Sequence, residues 1–174
     1  QAPAVDEGAA AVTVNNFASS ISAGPSDEAG QLLTFSLVAS GTTGDLMFST
    51  APAIDSSGRL TYTPAPNANG SASFTVVLSD NGASVAPNVN SSASRSFTIT
   101  VNPVNDVPSF VKGPDQISGA TPTLRTVPGW AKSISAGPPN ESSQSLTFHV
   151  TSSNNAFFST LPAISPTGTL TFAP

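Results

Sequence analysis

The sequence predicts an all-β protein: two tandem β-sandwich domains, the second lacking its last two strands. Three observations predict it. Apolar residues alternate with polar ones over short stretches, the mark of half-buried antiparallel strands. Clusters of Gly, Pro, Asn and Ser interrupt those stretches every ten or so residues. The chain also repeats itself once, at a spacing of about 110 residues. No segment sustains the 3.6-residue period of a helix.

The strands follow from the alternation. In QLLTFSLV at 31–38, Leu33, Phe35 and Leu37 share a face. RLTYT at 59–63 offers Leu60 and Tyr62. SASFTVVLS at 71–79 aligns Ala72, Phe74, Val76 and Leu78. SRSFTITV at 94–101 aligns Phe97, Ile99 and Val101. The breaks GPSDEAG, SGTTGD, SSG, PAPNANG and DNGASVAPN supply the turns between them.

The repeat is read from matched segments. SISAGPSDEAGQLLTFSLV at 20–38 faces SISAGPPNESSQSLTFHVT at 133–151, and FSTAPAIDSSGRLTYTP at 48–64 faces FSTLPAISPTGTLTFAP at 158–174. VNNFAS at 14–19 faces VPGWAK at 127–132. A repeat this long is a domain, not a solenoid unit. The expected division is 1–103 and 104–174. Nothing in the second copy matches the strands at 71–79 and 94–101 of the first. A sandwich without them carries an open edge. Either the chain is a piece of a longer array whose further residues supply them, or strands from another chain complete it by strand addition, which would make the chain a filament subunit.

Composition narrows the function. Charged residues are 9% of the chain, against roughly 25% in ordinary soluble proteins. The net charge is −5. The five basic residues Arg59, Arg95, Lys112, Arg125 and Lys132 are scattered, so nucleic-acid binding is not expected. Membrane insertion is not expected either, because no apolar run approaches the ~20 residues of a span. There is no cysteine to form a disulfide. A polar, Thr-rich, acidic, cysteine-free chain fits an extracellular bacterial surface protein.

The junction VNPVNDVPSF at 101–110 places Asn105 and Asp106 between Pro103 and Pro108. Those prolines favour an extended, stiff backbone. Asn and Asp oxygens are hard donors of the kind Ca²⁺ takes. At this point the chain resembles the cadherin-like, Ig-like repeats found in tandem in large bacterial surface adhesins. FTITVNPVNDVPSF resembles their closing strand and linker, VVLSDNG at 76–82 the strand ending in Asp-x-Gly, and SAGPSDEAGQLLTFSL at 22–37 their acidic loop. VDEG at 5–8 stands where the family carries an N-terminal Glu.

The resemblance implies a seven-stranded Greek-key sandwich with Ca²⁺ at domain junctions. It implies Glu7, Asn105, Asp106, Asn140 and Glu141 as ligands of one junction. Asp27, Glu28 and Asp80 would face a preceding domain. Two departures weaken the site. PAPNANG at 64–70 has no acid where the family carries Asp-Arg-Glu, and the second acidic pair has become Pro139-Asn140-Glu141. Ca²⁺ takes six to eight oxygens, so affinity no tighter than ~10⁻⁴–10⁻³ M is expected.

Other candidates yield less. His149 is the single histidine and has no Cys or second His to complete a triad or transition-metal site. Asp6-Glu7 and Asp27-Glu28 are neighbours, whereas glycoside hydrolysis needs carboxyls across a cleft. An enzyme is not expected. Trp130 could stack a sugar in a carbohydrate-binding module, but its repeat partner is Phe17, which points to a core position. Asn69, Asn90 and Asn140 begin glycosylation sequons, which arise by chance in an Asn- and Ser-rich chain. The expected role is a structural spacer in an adhesin stalk, with neighbouring repeats or other copies of the chain as partners.

Overall fold

The computed structural model describes residues 2–119 and 121–174. The chain divides into two compact units, 1–104 and 105–174, so the boundary falls one residue past the expected position. Among the described residues, no helix is long and apolar enough to cross a membrane.

The described residues of unit 1 form seven strands: β1 (Val5–Asp6), β2 (Val12–Val14), β3 (Thr34–Gly44), β4 (Phe48–Ile54), β5 (Leu60–Pro64), β6 (Gly70–Ser79) and β7 (Arg95–Asn102). They form two sheets, ordered β1-β7-β6-β3 and β2-β5-β4. The chain crosses between sheets after β1, β3 and β5, and between β2 and β3, which is a Greek-key sandwich of Ig type. All ladders are antiparallel except β1 on β7, where Val5 faces Val101.

The alternation in the sequence puts one face of each long strand inside. Leu60, Tyr62, Ile99 and Val101 are almost wholly excluded from solvent, with Ala72, Phe74, Leu46 and Ile54 beside them. Burying each large side chain contributes about 1.5–3 kcal/mol. Phe17, Phe97, Phe74 and Phe48 form an aromatic chain through this core, with neighbouring ring centroids 4.9–6.1 Å apart.

The hairpin from β4 to β5 is held by one carboxylate. Asp55 accepts the Ser57 hydroxyl, the amides of Ser57 and Arg59, and the Arg59 guanidinium Nε at 2.9 Å. These partners, the Ser57 hydroxyl foremost and then the Arg59 amide, hold its pKa down to about 2. Gly58 in this turn has φ +81°, and a Cβ there would collide with the Ala18 carbonyl. Ala18 in turn donates its amide to the Gly58 carbonyl at 3.0 Å.

Unit 2 contains β8 (Ser109–Val111), β9 (Arg125–Val127), β10 (Lys132–Ser135), β11 (Thr160–Ile164) and β12 (Leu170–Ala173). The sheet β11-β12-β9 matches β4-β5-β2 of unit 1 strand for strand. Gly168 repeats the part of Gly58: its φ is +86°, and Ala131 donates to its carbonyl at 2.9 Å. The other sheet is not reproduced. Among the described residues, LTFHV at 146–150, the counterpart of the first half of β3, belongs to no ladder. Its counterpart in unit 1 is a strand because β6 bonds to it. Unit 2 instead pairs β8 with β10.

Candidate functional site

The hexapeptide that recurs, SISAGP, is a turn that turns an acid back on the backbone. In unit 1 Gly24 donates its amide to Ser22 Oγ at 3.2 Å; in unit 2 Gly137 does so to Ser135 Oγ at 3.3 Å. Single 3₁₀ turns follow, Ser26–Glu28 and Pro139–Glu141, each preceded by an extended proline. A Cβ on Gly24 would collide with Glu28 Oε2, and one on Gly137 with Glu141 Oε2. Glycine at this place is what lets the carboxylate fold over the loop.

In unit 2 hydrogen bonds link Glu141 to Asp106 and, through Gln144, to Asn105. Glu141 is 6% exposed. Its Oε1 accepts the Asp106 backbone amide at 2.9 Å and the Gln144 side-chain amide at 3.2 Å. Gln144 also donates to Asn105 Oδ1 at 3.1 Å. The Asp106 Cβ lies against Gly137, and Asn140 precedes Glu141 in the same turn. Glu141 Oε2 is buried and has no hydrogen-bond partner among the described residues.

A buried carboxylate oxygen without a donor suits a cation. The set of expected residues in the adjoining loops, Asn105, Asp106 and Asn140, carries hard oxygens of the kind Ca²⁺ takes. It falls short in number: among the described residues no three His, Cys, Asp or Glu side chains are grouped for a metal.

Glu7 lies in unit 1, and both of its oxygens accept hydrogen bonds there. The Val104 amide reaches Oε1 at 2.7 Å and the Asn69 side chain reaches Oε2 at 3.2 Å. Asp27, Glu28 and Asp80 are also in unit 1. Asp80 Oδ1 accepts the Gly82 amide at 2.7 Å, and Gly82 lies beside Gln31, three residues past Glu28. Asn81 Oδ1 accepts the Leu32 amide at 2.8 Å, so the acidic loop and the end of β6 meet at one end of this sandwich.

Sequence reasoning missed Gln144, Asn69 and Asn102. Asn102 donates to Asp6 at 3.1 Å, as Asn69 does to Glu7. For Gln144 a signal was available, since Gln31 and Gln144 occupy the same place in the repeat. PAPNANG lacks an acid, yet its Asn69 serves an acid from elsewhere.

Trp130 is half-buried. Its indole N–H donates to the Pro114 carbonyl at 2.9 Å, and Gly113 lies against the ring. The side chain is therefore engaged within its own unit, which leaves the sugar-stacking role without support. His149 is exposed, as its repeat position implies.

Comparison with curated proteins and with solved structures finds no match. The pattern of one family, described as a bacterial Ig domain, matches residues 1–92, more than half of the 174. That match, on a unit already seen to be a seven-stranded Ig-type sandwich, makes the chain a member of the bacterial Ig domain family.

Proposed function

We propose that the chain is a length of the stalk of an extracellular bacterial adhesin, in which cadherin-like sandwiches serve as non-catalytic spacers. One observation carries this reading. Glu7 holds the amide of Val104 in unit 1, and Glu141 holds the amide of Asp106 in unit 2. Backbone tied so close to the unit boundary has little slack, and Pro103 and Pro108 restrict it further. A short linker with restricted backbone is what a spacer needs, because long flexible linkers would let an array coil up instead of extending.

Small-angle scattering tests the spacer role. A single compact body of this length would have a radius of gyration of about 16 Å. A clearly larger value, unchanged across salt concentrations, is expected of a spacer. A value near the compact figure would end the reading.

Calcium is the second element of the proposal. Asn105, Asp106, Asn140 and Glu141 are the ligands unit 2 would contribute, with Glu141 Oε2 as the strongest reason to expect a cation. A ligand bound only by the native state raises the melting temperature. Melting in millimolar Ca²⁺ against excess chelator should show a rise that Asp106→Ala removes. Equal midpoints would remove Ca²⁺ from the proposal.

A further inference from the structure

The chain holds two Asn-Gly dipeptides, Asn69-Gly70 and Asn81-Gly82. An asparagine followed by glycine can close on itself. The glycine nitrogen attacks the side-chain amide carbon, and no Cβ on the glycine obstructs the approach. The fold treats the two dipeptides differently. Gly70 opens β6 opposite Gly44 on one side and Val101 on the other, so its nitrogen is fixed in the sheet. The Asn69 side-chain amide is tied to Glu7 Oε2 at 3.2 Å. Asn81 is exposed and lies in the connection between β6 and β7. There Gly82 donates its amide to Asp80 Oδ1 at 2.7 Å, and Asn81 Oδ1 accepts the Leu32 amide at 2.8 Å. The attacking nitrogen thus has a carboxylate on its proton, and the carbonyl under attack has a backbone N–H on its oxygen. A Cβ on Gly82 would collide with Asp80 Oδ1 and the Gln31 side chain, so the arrangement needs glycine at this place.

We propose that Asn81-Gly82 is a self-modification site, at which the fold promotes conversion of Asn81 to aspartate and isoaspartate. The Gly82 nitrogen bonds to Asn81 Cγ, and its proton passes along the hydrogen bond to Asp80. The Leu32 amide stabilises the negative charge that develops on Oδ1. The Cγ–Nδ2 bond then breaks. The proton moves from Asp80 to the departing nitrogen, which leaves as ammonia. Water opens the five-membered imide at either carbonyl, giving aspartate by one cleavage and isoaspartate by the other. Water is the single co-reactant. Either product adds a carboxylate at the end of unit 1 where Asp80 meets the acidic loop, so the charge there grows with the age of the molecule.

The test incubates the folded chain, and separately a synthetic peptide of residues 76–87, in one neutral buffer. Peptide mapping that separates Asn, Asp and isoaspartate follows both. The peptide has the local sequence without the Leu32 amide or the fold. Asn81 should convert in the folded chain about tenfold or more faster than in the peptide. Asn69 should stay intact over the same time. Asp80→Asn keeps an acceptor for the Gly82 amide and removes the base, so it should slow conversion of Asn81 by about tenfold or more. Conversion in the folded chain no faster than in the peptide would overturn the proposal, because the two hydrogen bonds would then restrain Asn81 instead of activating it. So would equal conversion of Asn69 and Asn81, or an Asp80→Asn chain that converts as fast as its parent. The comparison of folded chain with peptide decides the matter even where the variant fails to fold.

Discussion

Glu141 Oε1 accepts the backbone amide of Asp106 at 2.9 Å, while Oε2 of the same carboxylate is buried without a donor. The two oxygens make separable predictions. Glu141→Ala orphans the Asp106 amide and should cost unit 2 about 1–3 kcal/mol. Glu141→Gln keeps an acceptor for that amide and removes an ionisable group from a buried position. In chelator it should melt at or above the parent temperature, because a lone buried charge is costly. In millimolar Ca²⁺ it should lose any rise the parent shows. Denaturation of the three chains in both buffers checks this. A Gln variant that keeps the calcium rise would remove Glu141 from the ligand set.

Gly58 and Gly168 should not tolerate a side chain. Each has a positive φ and lies against a backbone carbonyl, Ala18 and Ala131 respectively, which cannot swing away as a flexible side chain would. Gly58→Ala and Gly168→Ala should each cost at least ~2 kcal/mol, the left-handed backbone penalty plus the displaced contact. Gly8 is the control. Its φ is +76° but nothing stands within 4 Å of its Cβ position. Gly8→Ala should cost about 1 kcal/mol. Urea unfolding of the three variants gives the order.

These glycines also show what could be read in advance. The long strands were legible because alternation is a property of one strand's own side chains: Phe74 with Ala72, and Ile99 with Val101, lie inside as the pattern requires. Short β1 and β2 carry too few residues for a period, and β4 hides its own. It contains Pro52 and shifts register twice against β5, between Phe48 and Thr50 and between Thr50 and Ala53. At 146–150 the pattern is present and the ladder is not, since alternation tells which face a residue takes but not whether a partner strand is there. The site followed the same division. Asn105, Asp106, Asn140 and Glu141 were legible from type and position. Asn69 was not, and Gln144 could be reached only through its match to Gln31 in the repeat, because an amide that supports a carboxylate looks in sequence like any other polar loop residue.

Asp55 should make unit 1 acid-sensitive in a defined window. Its carboxyl is held down to about 2 in the folded state, against 3.8 ordinarily. A depressed carboxylate stabilises the fold above its unfolded pKa, and that contribution is lost as pH falls through the folded value. The loss attributable to Asp55 therefore runs from about pH 4 to about pH 2. Unit 2 has Ser165 in this role, where its hydroxyl accepts the Thr169 amide at 3.1 Å. Asp55→Ser should thus still form the turn, lower stability at neutral pH, and flatten the dependence between pH 4 and 2. Equilibrium unfolding of both chains across that range measures it. Parallel curves would show that the Asp55 hydrogen bonds do not distinguish folded from unfolded states.

Tyr62 tests the core from the opposite direction. It is 1% exposed, and its hydroxyl has no hydrogen-bond partner among the described residues. Phe48 meets its ring edge to face at 5.9 Å, so the ring is well placed while the hydroxyl is not. Burying that hydroxyl unpaired costs free energy that Phe would not incur. Tyr62→Phe should therefore leave stability unchanged or raise it by up to about 1 kcal/mol, against the usual direction for a core substitution. Burial also pushes the phenol pKa above 10.0. An acid whose folded pKa is raised stabilises the native state below its unfolded pKa, and that contribution is lost as pH rises past it. The parent should thus lose stability from about pH 10 upward, where the unfolded chain's tyrosine ionises, and the Phe variant should not share that component. Tyr62 is the single tyrosine, so its absorbance at alkaline pH reports the same event directly. A Phe variant less stable than the parent at neutral pH would mean that the hydroxyl has a partner in solution, such as a buried water, and that it contributes to the core.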